Sequence, residues 1–166
     1  MEYSFGSASV EDVNTIFALY VKRIEWMDAQ GISQWNVTAY LDSYPIGYYE
    51  DKLTHGNLYV LKLDDKIAGA VVILENDPRW KDQRDSSAYY VHNLVTDPVY
   101  KGIGRIILHE AEKLAVQNKK HYLRLDCASD NAILNHYYES LGYALIGKCE
   151  DGEYIGNRRE KKMSLT

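Results

Sequence analysis

Two glycines one residue apart, Gly102 and Gly104, stand between the basic residues Lys101 and Arg105 at the start of a helical pattern. The preceding apolar run and proline, in the sequence NLVTDPVYKGIGRIILHEAEKLA, predict a strand and a short turn before that helix. The first N–H groups of a helix have no internal acceptor and lie at the positive end of its dipole. We therefore expect the N–H groups of residues 102–106, with both basic side chains, to bind a phosphate or pyrophosphate.

Two well-known phosphate-binding motifs are alternative interpretations of this turn. The Walker A motif ends in Gly-Lys-Ser/Thr, whereas here the lysine precedes the glycines, which excludes that motif. The dinucleotide fingerprint G-x-G-x-x-G fits the first two glycines, and Asp126 follows at about the expected 20 residues. Ile107 stands where the third glycine belongs, and its branched side chain removes the close packing of helix on strand. A dinucleotide site is thus the weaker alternative.

The first half of the chain supplies a strand and several helices. The segment YSFGSA predicts a first strand, and Ser9 with Asp12 forms a capping box that opens a helix. Gly31 ends that helix. One or two short helices follow, broken near Pro45 and ended by Gly56.

The second half of the chain surrounds the glycine turn with strands. The segments NLYVLKL and IAGAVVILE predict a hairpin, and a polar loop occupies residues 77–87. We then expect a strand at 88–96, a helix at 104–118, a strand at 121–127, a short helix in NAILNHYYESLG and a final hairpin turning at EDGE. The order predicts an α/β sheet, antiparallel in its first half, with one parallel crossover between strands 88–96 and 121–127. The glycine turn lies at the start of the crossover helix, where open α/β sheets bind ligands.

The size and composition predict a single domain, residues 1–166, in a soluble globular protein. The net charge is -5, and the two basic runs, Lys119 with Lys120 and residues 158–162, are short. We interpret them as a solvated helix end and a solvated strand, which argues against nucleic acid as a partner. No long apolar run suggests a membrane.

The cysteines and histidines indicate which cellular compartment and what kind of metal site to expect. Cys127 and Cys149 are the only cysteines, lie far apart and lack CxxC spacing, which favours a reducing compartment. The N-terminus has neither the basic nor the apolar region of a signal peptide, so we expect a cytoplasmic protein. The five histidines show no pair at ligand spacing, and we predict no metal.

Two segments together resemble the GNAT superfamily of acetyl-CoA-dependent N-acetyltransferases. The segment LVTDPVYKGIGRIIL resembles the family's coenzyme A motif, a strand and x-Pro turn leading to a basic, glycine-rich loop and a helix that receives the pyrophosphate. The segment RLDCASDNAILNHYYESLGYALIG resembles its second motif, in which a strand precedes Asn, a short helix, a Tyr-Glu pair and Leu-Gly-aromatic. The resemblance covers essentially the whole chain. It implies a GNAT-type mixed, largely antiparallel central sheet flanked by helices.

The resemblance also implies acetyl-CoA as co-substrate. Lys101, Gly102, Ile103, Gly104 and Arg105 would hold its pyrophosphate. The backbone of Leu94, Val95 and Thr96 would pair with the pantetheine arm much as another strand would. Asn131 matches an asparagine that often contacts the coenzyme, although a helix N-cap explains it equally well. The loop before GIGR is shorter than the usual family form, which leaves the individual phosphate contacts open.

Acetyl transfer to an amine needs a neutral amine and a proton for the departing thiolate. The tyrosine of the Tyr-Glu pair, here Tyr138, is the family's frequent general acid, and Tyr137 beside it is expected in the core. His92 occupies a position where some family members place an acid–base histidine, and its ordinary pKa suits that task. A histidine paired within the sheet is an equal alternative. Glu75 is a second candidate base, for which a solvated strand end is favoured, and a water chain with no single base is a further alternative.

The resemblance places the acceptor pocket among the first helices. Trp35, Tyr40 or Tyr44 could line it and hold a cation, although core packing is the commoner role of each. Cys127 is interpreted as a buried, reduced cysteine and not a nucleophile.

The sequence therefore predicts a GNAT-type enzyme that transfers acetyl to a primary amine by direct attack. The acceptor, a small-molecule amine or a peptide amine, stays open, as does the oligomeric state, a homodimer included. The alternative function is a non-catalytic sensor domain that binds an acyl-CoA or a nucleotide.

Overall fold

The chain alternates helices with the strands of a sheet over residues 2–83 and 87–165, the part that the computed structural model describes. The elements are β1 (Tyr3–Ser7), α1 (Val13–Gln30), α2 (Tyr40–Ser43), α3 (Ile46–Thr54), β2 (Leu58–Leu63), β3 (Lys66–Leu74), β4 (Ala88–Thr96), α4 (Ile103–Gln117), β5 (Tyr122–Ala128), α5 (Ala132–Ser140), β6 (Ala144–Asp151) and β7 (Tyr154–Lys162). Short 3-10 turns lie at Val10–Asp12, Trp35–Val37 and Pro78–Gln83.

The seven strands follow the order β1-β2-β3-β4-β5-β7-β6. Strand β2 pairs antiparallel with β1 and β3, and β7 pairs antiparallel with β5 and β6. Strand β4 runs parallel to β5, and α4 connects the two. The prediction of a largely antiparallel α/β sheet with one parallel crossover, flanked by helices, is confirmed.

The fold comprises two compact units, Met1–Val72 with Asn93–Glu110, and Ile73–His92 with Ala111–Thr166. Strands β3 and β4 and helix α4 each contribute residues to both units.

In the first unit, local sequence signals set the helix ends. The backbone N–H of Ser9 donates to the Asp12 carboxylate at 2.9 Å, so the capping box forms in the 3-10 turn that leads into α1. Gly31 ends α1 with φ at +68°, a conformation that glycine adopts without strain. The helices and strands of this unit bury Ile16, Tyr20, Tyr49, Leu61, Val71 and Ile107.

In the second unit, a tryptophan and a buried arginine organise the core. Trp80 is 1% exposed and packs with Ala88 and Tyr90, so the segment predicted as a polar loop contributes to the core. Residues 84–86 of that loop lie outside the described residues. The guanidinium of Arg124 lies over the Trp80 ring and donates to Glu160 at 2.9 Å, which satisfies a charge that would otherwise be costly to bury.

The interpretation of residues 158–162 as a solvated strand is wrong for its first two members. Arg158 and Arg159 are 8% and 5% exposed. Arg158 donates two hydrogen bonds to the Asp82 carboxylate, and Arg159 donates to the Tyr143 carbonyl at 2.9 Å. These acceptors are distant in sequence, so the charge run by itself gave no sign that its arginines are paired and buried.

Among residues 2–83 and 87–165, no helix has the length and apolar character needed to cross a membrane.

Candidate functional site

The predicted anion site at the start of α4 has an open set of donors. Gly102 has φ at +79°, and no atom lies within 4 Å of where its Cβ would be, so the turn is exposed and suited to glycine. Within the described part of the chain, no acceptor contacts the N–H groups of Ile103, Gly104 and Arg105. The Ile106 N–H donates to the Gly102 carbonyl at 3.3 Å. This N–H group is therefore not available to an anion, although it was one of the donors predicted at residues 102–106.

Asp97 and Lys22 fix the turn that leads into this site. The Asp97 carboxylate accepts the Val99 N–H at 3.0 Å, and its carbonyl accepts the Tyr100 N–H at 3.1 Å. Lys22 of α1 pairs with the same carboxylate at 2.7 Å. Burial raises the pKa of Asp97, but the hydrogen bonds and the charge of Lys22 outweigh it and hold that pKa below its ordinary value. The basic residues of the loop, Lys101 and Arg105, remain exposed.

The strand edge expected to pair with the coenzyme arm is partly occupied. Leu94 and Thr96 are half-buried, and Val95 is 2% exposed. The guanidinium of Arg23 donates to the Thr96 carbonyl at 2.8 and 3.1 Å, so this carbonyl already has a partner. The register of β4 with β5 covers only three residue pairs and ends at Tyr90.

Asn93 is the residue of this region that the sequence analysis missed. Its φ is +53°, which distorts β4, and asparagine tolerates that conformation better than most residues. Tyrosines from three helices converge on it: Tyr20 donates to its carbonyl, Tyr48 donates to its Oδ1 at 2.8 Å, and its Nδ2 donates to Tyr40. An asparagine within a run of β-branched and aromatic residues was the available signal, because asparagine is depleted in strands.

A cavity of about 260 Å³ lies beside this tyrosine cluster. It is lined by Ile24, Trp35, Asn36, Ala39, Tyr40, Leu41 and Asp42. The Trp35 and Tyr40 rings stack with centroids 4.4 Å apart. Tyr44 packs on Tyr40 at 4.7 Å but does not line the cavity. Two of the three predicted aromatic residues therefore belong to one cavity wall.

In the second unit, His92 is held by a buried carboxylate. Its Nε2 lies 2.7 Å from Oδ2 of Asp77, whose side chain is 4% exposed against 15% for His92. Burial alone would raise the pKa of Asp77, but the hydrogen bond and charge of His92, together with the Arg79 N–H, hold it below its ordinary value. The sequence analysis named His92 but not Asp77, which is 15 residues away.

Asp126 completes a cluster with His92 and Asp77. One potential ligand atom from each of the three lies within 4.8 Å of the others, a grouping of the kind that can bind a metal and that local sequence spacing did not show. Oδ1 of Asp126 accepts hydrogen bonds from Arg79 at 3.0 Å and from Tyr154 at 2.6 Å. The Arg79 charge therefore already compensates this carboxylate.

Tyr138 is buried, with 7% of its surface exposed, whereas Tyr137, the expected core member, is half-buried. No hydrogen-bond partner of the Tyr138 hydroxyl lies among the described residues, although a buried tyrosine usually has one. Burial, and then the neighbouring Cys127, Tyr137 and Asp126, raise the pKa of Tyr138 above its ordinary value. Its hydroxyl is therefore protonated at neutral pH.

The remaining candidates have ordinary structural explanations. Asn131 is the N-cap of α5, and its side chain accepts the Leu134 N–H at 3.0 Å. Glu75 pairs with Lys120 at 3.1 Å and its side chain is 63% exposed, as expected of a solvated strand end. Cys127 is buried, and burial raises the pKa of its thiol to about 11, so the reactive thiolate is scarce at neutral pH.

Three comparisons bear on this arrangement. The acetyltransferase (GNAT) family model matches residues 20–143. The uncharacterized N-acetyltransferase YesJ of Bacillus subtilis (strain 168) is 27% identical over 155 residues, covering 89% of this chain and 85% of that protein.

Solved structures share the fold. A GNAT-family acetyltransferase from Listeria monocytogenes superposes with a TM-score of 0.82 at 23% identity, covering 98% of this chain and 96% of that one. The PaiA N-acetyltransferase of Thermoplasma acidophilum, solved in complex with coenzyme A, has a TM-score of 0.76 at 18% identity, covering 98% and 99%. Since the family model spans well over half of the sequence and includes both motifs around the glycine turn and α5, the chain belongs to the GNAT acetyltransferase family.

Proposed function

We propose that this protein transfers the acetyl group of acetyl-CoA to a primary amine by direct attack of the amine. The observation that carries the proposal is the open N-terminus of α4, with unpaired N–H groups at residues 103–105 beside the exposed Lys101 and Arg105. Such a terminus suits a compact, doubly charged pyrophosphate without a metal. The complex of the PaiA relative with coenzyme A supports the same assignment.

The coenzyme would be bound by Lys101, Gly102, Ile103, Gly104 and Arg105, with the backbone of Leu94 and Val95 along the arm. The Thr96 carbonyl contributes less in this proposal, because Arg23 already donates to it. Asn131 acts mainly as a helix cap here, since its side-chain oxygen is taken by Leu134. Bound acetyl-CoA supplies an acetyl group activated as a thioester.

Tyr138 is the general acid in this proposal. The residue as a whole is 7% exposed, and its raised pKa keeps the hydroxyl protonated at neutral pH. Since no hydrogen-bond partner of this hydroxyl lies among residues 2–83 and 87–165, its proton is available to a departing thiolate.

His92 is the general base in this proposal. Its Nε2 lies 2.7 Å from the carboxylate of Asp77, whose side chain is only 4% exposed. Glu75 is a poorer base, because it is exposed and paired with Lys120.

Direct attack is favoured over an acyl-enzyme because Cys127 is a poor nucleophile. Its raised pKa keeps the thiol neutral, so little thiolate is available to attack the thioester. An amine that enters the cavity beside Trp35 and Tyr40 would meet aromatic rings and the carboxylate of Asp42, a lining that suits a cationic group.

The proposal treats residues 1–166 as one acetyltransferase domain, since the family match runs across both compact units. Two free, buried cysteines are consistent with the reducing environment of the cytoplasm. Assembly as a homodimer stays a prediction, for which sedimentation of the purified protein is the measurement.

The first test is calorimetric titration with acetyl-CoA, CoA and NAD in parallel, followed by thiol release with a panel of primary amines. We expect binding of acetyl-CoA and CoA without NAD, and turnover with at least one amine. Tyr138→Phe should lower kcat by about 10²-fold or more while the Kd for CoA stays unchanged. Tyr137→Phe is the matched control and should retain activity. Absence of CoA binding would refute the transferase, and full activity of Tyr138→Phe would remove Tyr138 as the acid.

A further inference from the structure

We propose that Asp77 is a positioning residue that fixes His92 as the tautomer protonated on Nε2, which leaves Nδ1 as the atom that takes the proton of the amine. This inference rests on the proposed acetyltransferase function. It adds a residue that neither the motifs nor the family match single out, and it names the basic atom.

Asp77 is held rigidly by the backbone of the turn that it opens. Its Oδ1 accepts the Arg79 N–H at 2.9 Å, and its carbonyl accepts the Trp80 N–H at 2.9 Å. Trp80 is 1% exposed, so the turn is anchored in the core of this unit. Oδ2 is left to face His92, and its position is set by groups other than the histidine.

The chemistry of the pair determines the tautomer. An ionised carboxylate can only accept hydrogen bonds, and the lowered pKa of Asp77 keeps it ionised at neutral pH. At a separation of 2.7 Å, Nε2 of His92 must therefore carry the proton. Within the described ranges, no residue hydrogen-bonds to Nδ1, so its lone pair is available.

The other charged groups near His92 are already paired with one another. Asp126 of β5 receives hydrogen bonds from Arg79 and from Tyr154 of β7. The second amino group of Arg79 donates to Asp151 at 3.0 Å. Asp77 is thus the carboxylate that hydrogen-bonds to His92, while the charge of Arg79 compensates Asp126.

The proton balance of the transfer follows from this geometry. The nitrogen of a neutral amine forms a bond to the acetyl carbon, and the carbon–sulfur bond breaks. Nδ1 of His92 takes one proton from that nitrogen, and the Tyr138 hydroxyl gives its proton to the sulfur. The imidazolium is stabilised by Asp77, and both side chains return to their starting state by exchange with water.

The test compares Asp77→Asn with Asp151→Asn in the full-length protein. Each variant removes one carboxylate of the same network, but Asp151 is 64% exposed and contacts Arg79, not His92. We expect Asp77→Asn to lower kcat/KM at neutral pH by about 10²-fold or more, and Asp151→Asn to leave it unchanged. The Kd for CoA should not change, and Asp77→Glu should restore part of the activity.

Nitrogen NMR of the His92 ring gives a readout that does not depend on turnover. We expect the Nε2-protonated neutral tautomer in the wild-type protein and in Asp151→Asn, and its loss or mixture in Asp77→Asn. The wild-type spectrum decides the tautomer even if Asp77→Asn fails to fold.

Three results would overturn the inference while leaving the transferase intact. The first two are an Nδ1-protonated tautomer in the wild type and full activity of His92→Gln. The third is stoichiometric zinc binding that Asp77→Asn abolishes, which would make the cluster of Asp77, His92 and Asp126 a metal site. If the wild-type protein acetylates no amine, the proposed function fails, and the tautomer measurement then reports on the structure alone.

Discussion

Asn93 holds a left-handed backbone conformation in the middle of β4 by means of tyrosines on α1, α2 and α3. Its Oδ1 accepts a hydrogen bond from Tyr48, and its Nδ2 donates one to Tyr40. Its backbone carbonyl accepts a hydrogen bond from Tyr20. The amide thereby supplies hydrogen-bond partners to two hydroxyl groups of the aromatic cluster.

Replacing the Asn93 side chain should therefore lower the stability of the fold. Asn93→Gly keeps the positive φ accessible but removes the hydrogen bonds that the amide makes with Tyr40 and Tyr48, so the free energy of unfolding should fall by about 1–3 kcal/mol. Asn93→Ala should cost about 1–2 kcal/mol more, because alanine resists the conformation. Urea denaturation measures both. Lys119→Gly is the control, since Lys119 also has a positive φ but is exposed. Wild-type stability of Asn93→Gly would contradict this account.

Individual catalytic candidates were predictable where a motif fixed their position. Tyr138 and His92 were named from the sequence; the structure buries the Tyr138 residue and gives His92 a carboxylate partner, and their catalytic roles stay predictions. Asp77 was not predictable, because it reaches His92 through the folding of a loop and not through spacing along a helix or strand. Arg79 and Asp126 are likewise 47 residues apart.

At the scale of elements, helix α4 approaches β3 closely because β3 has a glycine. A Cβ on Gly69 would lie 2.6 Å from Ile107 Cδ1 and 2.9 Å from the Val95 carbonyl oxygen. A dinucleotide fingerprint would provide such a glycine on the helix, whereas this chain places it on the strand and keeps Ile107 in the core. The branched residue that weakened the dinucleotide alternative is thus accommodated by Gly69.

Gly69→Ala should therefore be disruptive, because the Val95 contact is to backbone. We expect a loss of about 1–3 kcal/mol in the free energy of unfolding. Gly6→Ala is the matched control: Gly6 lies in β1, and no atom lies within 4 Å of where its Cβ would be. The same methyl group there should change stability by no more than about 0.5 kcal/mol. Equal effects of the two variants in chemical denaturation would rule out the close approach.

Most element boundaries were predictable because each carries a local signal. Gly31 ends α1, Pro45 separates α2 from α3, and the predicted helix at 104–118 is α4 (Ile103–Gln117). The segment Pro78–Gln83 was less predictable, since its polar composition concealed the buried Trp80. The burial of Arg158 depends on Asp82, 76 residues away, a pairing that no local pattern carries.

At the scale of the whole molecule, many of the 15 tyrosines are neutral groups of the interior. Burial raises the pKa of seven of them above the ordinary value: Tyr20, Tyr40, Tyr49, Tyr89, Tyr138, Tyr143 and Tyr154. Their ionisation is therefore coupled to unfolding in each compact unit.

The sign of this coupling predicts an alkaline limit. Because the folded-state pKa values lie above the unfolded value of about 10, the stabilisation is complete below about pH 10 and is lost as the pH rises further. Denaturation midpoints should thus be steady up to about pH 9 and fall steeply above it. The tyrosines with raised pKa values should add their share of the tyrosinate absorbance together with the loss of circular dichroism. Ionisation of these tyrosines with the fold intact would contradict the prediction.

The convergence of Tyr20, Tyr40 and Tyr48 on Asn93 also restricts how this chain can evolve. Tyr20 donates to the Asn93 backbone carbonyl, which any residue supplies, whereas Tyr40 and Tyr48 bond to the amide side chain. A single substitution of Asn93, Tyr40 or Tyr48 therefore breaks a side-chain hydrogen bond, so changes at these three positions are costly singly and more tolerable together. Among relatives, these three positions should accordingly covary, and a lineage that abandons the asparagine should also have replaced Tyr40 and Tyr48.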